Sequence, residues 1–243
     1  MVRTKIALLG LCVAVVSMMA MSAGAAHGAV LSWLILNAAH TTATELKAAL
    51  AAETDTTHLT LDGEVAGLKI AVTCTGIDLV GANLEVGGKL TNGFKFVLLG
   101  CKVYRQAPLT EEYKCIVKSP GAPAGTIESG ELKGELVLVG AELLIKIEPV
   151  AGPAGTFKLI RFEGPECPLP EHVTVHGTLY LKDCQGFMTT HKLKHLFESA
   201  AASTALYIGA HSAKQLEVTK WLGSFWVKLA GAHAGLEWSG MDV

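Results

Sequence analysis

The run VTVHGTLYL, residues 173–181, decides the fold class. Val173, Val175, Leu179 and Leu181 alternate with Thr174, His176, Thr178 and Tyr180. Successive side chains of a strand point to opposite faces, so this spacing puts an apolar row on a core and a polar row outside.

The same habit recurs along the chain. Leu68, Ile70 and Val72 alternate with Lys69 and Ala71, and Phe94, Phe96 and Leu98 with Lys95 and Val97. Leu144-Ile145-Lys146-Ile147 and Phe157-Lys158-Leu159 continue it. Glycines punctuate the runs at Gly63, Gly87-Gly88, Gly100, Gly140 and Gly164. Asn92-Gly93 reads as a tight hairpin turn, because both residues tolerate positive φ. Many short strands with regular turns imply a mainly β fold, an antiparallel sandwich or barrel. Residues 191–209 fit either period and are read as strand at their start and at Leu206–Ile208. The tail SFWVKLAGAHAGLEWSG reads as a closing hairpin carrying Trp226 and Trp238.

One helix is expected, over residues 43–53. Thr42-Ala43-Thr44-Glu45 has the capping-box spacing, and LKAALAAE follows with Leu46, Ala49 and Leu50 on one face. Ser119–Gly125 is the best linker candidate, and Ala151–Gly155 reads as a hairpin loop. The expected organisation is a single β-rich domain over residues 26–243, with a subdivision near 119–125 as the alternative.

Residues 1–25 read as a secretory signal peptide. Arg3 and Lys5 precede a long apolar run, and Ala23-Gly24-Ala25 supplies a small-residue cleavage site. No transmembrane segment is expected after cleavage. Removing Arg3 and Lys5 leaves 18 basic against 22 acidic residues, a net charge of −4. That mild acidity, without a basic cluster, argues against nucleic acid as a partner. No other partner can be named from the sequence.

Export favours disulfides over thiols. Five cysteines follow the leader: Cys74, Cys101, Cys115, Cys167 and Cys184. None forms a C-x-x-C pair, so zinc-ribbon and thioredoxin spacings are missing. The segment GCKVYRQAPLTEEYKC, residues 100–115, reads as a loop stapled by a Cys101–Cys115 bridge across two neighbouring strands. Cys167 and Cys184 flank one strand and form the second expected bridge. Cys74 is the candidate free thiol, with Cys74–Cys101 as the competing pairing.

The pairs His172/His176 and His191/His195 share a face at four-residue spacing. Two such pairs could hold zinc if they met. Lys192 and Lys194 beside His191 and His195 oppose a cation, and no H-E-x-x-H is present. His191 and His195 are therefore weak metal candidates, and neither a metal nor a cofactor is expected. No G-x-S-x-G elbow or phosphate-binding glycine motif occurs, and no catalytic residue is assigned. Glu111-Glu112 and Glu163/Glu166 are carboxylate pairs that default to exposed loop charges. Trp33, Trp221, Trp226 and Trp238 read as core anchors, some meeting if the terminal strands pair.

LSWLILN, the cysteine of VTCTG, the LLGC…YKC segment and GAHAGLEWSG together resemble a group of secreted, β-rich actinobacterial proteins with no established activity. The resemblance implies export and β architecture only. The functional expectation is an exported, non-catalytic protein with a structural or binding role at the cell envelope or outside the cell. A carrier of small apolar ligands in a barrel cavity is one alternative. A secreted hydrolase, with zinc as an option, is the other.

Overall fold

A computed structural model describes residues 30–56, 58–105, 112–139, 142–182, 192–197, 207–210 and 215–242. Residues 1–25, expected as a signal peptide, residues 106–111, Cys184 and His191 lie outside them.

The described chain is built of strands. In order they are β1 Leu31–Leu36, β2 Ala43–Thr44, β3 Ala48–Thr54, β4 Leu59–Val65, β5 Leu68–Cys74, β6 Gly76–Val80 and β7 Asn83–Glu85. There follow β8 Lys89–Leu99, β9 Lys102–Arg105, β10 Ile116–Lys118, β11 Ile127–Glu128, β12 Leu132–Val139, β13 Glu142–Pro149 and β14 Thr156–Glu163. The last are β15 His172–His176, β16 Leu179–Lys182, β17 Lys192–Phe197, β18 Tyr207–Ala210, β19 Gln215–Leu222, β20 Ser224–Leu229 and β21 Trp238–Asp242.

Their pairings are antiparallel and form two main sheets. In the first, β8, β12, β13, β16, β17, β20, β3 and β7 pair in that order and β7 returns to β8, closing a ring, while β6 and β11 also pair with β8. Closure removes the unpaired edges that an open sheet exposes. The second sheet is open, in the order β10-β14-β15-β18-β19-β4-β5-β9. Its two edges approach each other through a bridge between Tyr104 and Glu112 and a 2.9 Å hydrogen bond from Tyr113 N–H to Val103 O.

The chain runs from one sheet into the other with short breaks, as at Thr75 between β5 and β6 and at Gly223 between β19 and β20. Gly223 has φ +118°, and a Cβ there would lie 2.8 Å from His58 O. Only glycine can turn the chain at this corner. The apolar rows of both sheets join in one continuous buried cluster. Val173 and Val175 of β15 and Leu179 and Leu181 of β16 all lie in it. The run expected as one strand breaks at Gly177-Thr178 into two strands of different sheets, and Thr178, expected outside, is buried.

A ribbon of β2, β1 and β21 meets the ring. Trp33 of β1 and Trp238 of β21 are both fully buried and line the ring interior. The indole N–H of Trp33 donates to Lys89 O at 3.1 Å. β20 and β21 do not pair, so the expected closing hairpin is replaced by the β1–β21 ribbon.

Three further expectations are corrected. Residues 43–53 form β2 and β3 rather than a helix. β3 pairs along five positions with β20 and with β7 beyond, and this long-range pairing outweighs the local preference of an Ala-rich segment. Leu50 is buried and Leu46 exposed, so the supposed helical stripe does not exist. Asn92-Gly93 lies inside β8, and the turn that precedes β8 is Val86-Gly87-Gly88.

The third correction is the cysteine pairing. Cys74 bonds Cys101, and Cys115 bonds Cys167. Thr73 pairs with Lys102, so the register of β5 and β9 sets Cys74 opposite Cys101; Cys74 is not a free thiol. A tight turn, with Cys115 N–H donating to Tyr113 O at 2.7 Å, carries Cys115 away from β9 into β10. There it reaches the loop after β14, the partner of β10, where Cys167 lies. Cys167 is thus unavailable to Cys184.

Candidate functional site

Two volumes distinguish the inside of the ring from its outside. The interior is packed by apolar side chains, among them Trp33, Leu90, Phe94, Phe96, Phe225 and Trp238, leaving a void of about 20 Å³. That is room for about one water. On the outer face, over β8, β12 and β13, a cleft of about 250 Å³ opens between Lys89, Leu90, Asn92, Lys133, Gly134, Glu135, Lys146 and Glu148.

The cleft originates in a register shift. Leu90 of β8 pairs with Gly134 of β12, and Phe94 with Leu132, so four steps on β8 face two on β12. The two surplus residues bow β8 outward at Asn92-Gly93, where Gly93 takes φ +90°. Bulges of this kind re-aim side chains and locally end pairing. At Gly134 a Cβ would meet Leu90 Cδ1 at 2.7 Å, so glycine lets the two strands approach beside the bulge.

Strand register then lays charges across the cleft in rows. Lys89 stands opposite Glu135, and Glu135 opposite Lys146; in the next row Lys133 stands opposite Glu148. Glu148 is the hub. Its carboxylate lies 3.3 Å from Lys133 Nζ and 3.2 Å from Lys146 Nζ, and accepts from Thr178 Oγ1 at 3.5 Å. Lys146 Nζ also lies 3.5 Å from Glu135. Burial alone would push the Glu148 carboxyl up, but Lys146 and Lys133 outweigh it and hold the group below its ordinary value. Burial likewise works against the Lys146 ammonium, and Glu148 and Glu135 together hold it above its ordinary value. Lys89 is exposed and makes no ion pair among the described residues.

A second polar group lies in the core. Lys158 is only 1% exposed. A register shift between Thr156 and Lys158 turns its side chain inward, although FKL reads as an outward lysine. Nζ lies 4.2 Å from the centre of the Trp221 ring and 5.9 Å from that of Phe157. Loss of solvent pulls the amine down to about 7, while the indole face favours its cationic form.

The other residues singled out by sequence are dispersed. His172 and His176 lie half-buried on β15, and His176 Nδ1 sits 3.0 Å from Gly155 O. His195 lies in β17 opposite Phe225. Among the described residues no three His, Cys, Asp or Glu side chains are grouped to hold a metal ion. Glu112 pairs with Lys102, Glu163 with Lys118 and Glu166 with Lys114. LSWLILN and GLEWSG do meet, in the β1–β21 ribbon. There Trp33 packs on Trp238, and His40 Nδ1 lies 3.0 Å from Glu237 Oε2. The cleft itself escaped the sequence reading, because its charges come from strands joined only by register.

No protein-family model, curated protein or solved structure matches the chain.

Proposed function

We propose that this is an exported, non-catalytic protein that works at the cell envelope or outside the cell by binding at its outer face. One observation carries the reading: the ring interior is filled to within about 20 Å³, while a polar cleft of about 250 Å³ lies outside it. A filled ring supports a rigid frame more than an apolar-ligand carrier, whose pocket would need several hundred Å³. Two disulfides are compatible with an oxidising, extracellular setting. Among the described residues no helix is long and apolar enough to cross a membrane. The basic start, apolar run and Ala23-Gly24-Ala25 motivate export by a cleaved leader.

Fractionation and N-terminal sequencing test the export half. The exported protein should begin at Ala26. Protein that retains Met1 and stays in the cytoplasm would contradict it.

A further inference from the structure

We infer that the outer cleft over β8, β12 and β13 binds a small hydroxylated monoanion, a sugar carboxylate of hexose size. This deepens the binding role proposed above and rests on it.

Charge comes first. Three lysines face two glutamates in the lining, an excess of one positive charge on a chain whose net charge is −2. Lys133 and Lys146 are already engaged by Glu148, so the uncommitted cation is Lys89. Its backbone is held in place, because Trp33 Nε1 donates to its main-chain carbonyl from the ribbon. A carboxylate held by Lys89 forms a charge-assisted contact at the mouth of the cleft.

The remaining groups select for hydroxyls. Asn92, exposed on the bulge, offers an amide donor and an amide acceptor. Glu135 is exposed and accepts only, so it takes hydrogen bonds from hydroxyls and repels a second negative charge. A phosphate dianion is therefore a poorer fit than a monoanionic carboxylate. An uncharged sugar leaves Lys89 unmatched. The bulge gives the cleft its shape, and the Glu148 ion pairs hold its floor rigid, so little ordering is needed on binding.

Calorimetric titration of the purified full chain at low salt tests this, with D-glucuronate, D-glucose and inorganic phosphate as probes. Glucuronate should bind about ten-fold or more tighter than glucose and than phosphate. Lys89→Ala should weaken glucuronate by about ten-fold, the loss of one charge-assisted contact, at an unchanged melting temperature. Asn92→Ala, also exposed, should weaken it less. No heat with glucuronate, phosphate bound as tightly, or affinity untouched by both variants would each overturn the site. The export result is read from a different experiment, so the failure of one is separable from failure of the other.

Discussion

The indole rings of Trp33 and Trp238 lie 5.7 Å apart, tilted at 52°, and are both fully buried. Their hydrogen bonding differs. Trp33 Nε1 donates to Lys89 O, whereas Trp238 Nε1 is buried with no partner among the described residues. This asymmetry distinguishes two otherwise similar substitutions. Trp33→Phe removes a made bond and leaves a carbonyl short of its donor, while Trp238→Phe removes an unmet donor. Both lose packing. Trp33→Phe should cost about 1 kcal/mol more, measured by denaturant unfolding. Equal costs would show that the ribbon's bond to β8 contributes nothing.

The two disulfides tie strands that register already places together. Non-reducing peptide mapping should recover Cys74 with Cys101 and Cys115 with Cys167. Replacing Cys74 and Cys101 by alanine should cost about 3.5 kcal/mol in the chain-entropy model, for a separation of 27 residues. A peptide joining Cys101 to Cys115 would mean that β9 and β10 are wrongly placed.

Lys158 makes stability depend on pH. Its amine is held at about 7 in the folded protein, against about 10.4 for an unfolded lysine. Between those values the unfolded chain binds more protons, so stability rises with pH from about 7 to about 10. The gain is at most about 5 kcal/mol, and the Trp221 face reduces it by favouring the cation. Lys158→Met should raise stability at pH 7 and flatten this slope, read from urea unfolding at pH 7, 8, 9 and 10. An unchanged slope would mean that the side chain keeps its solvent.

Much of the β architecture was legible because burial has the strand period. β4 shows it in LTLDGEV, where Leu59, Leu61 and Val65 are buried and Thr60 and Asp62 less so. Local rules failed where distant pairing decided the outcome. LKAALAAE has the composition of a helix, yet β20 claims it as a strand. Glu45, placed to cap that helix, accepts instead from Gly87 N–H. Asn92-Gly93 has hairpin chemistry, but β12 pairs on both sides of it and makes it a bulge. The cleft depends on that bulge and on Lys89, Glu135 and Lys146 standing in one row. No spacing within one segment encodes such a row.

In the proposed function the ring is filled and the protein binds from outside. Fluorescence titration with N-phenyl-1-naphthylamine tests it most directly, because the dye brightens on entering an apolar pocket. No saturable enhancement is expected with the folded protein, since a void of about 20 Å³ cannot admit a naphthyl ring. Saturable, stoichiometric binding, weakened by filling the interior with Leu90→Phe, would contradict it and identify the ring as a carrier.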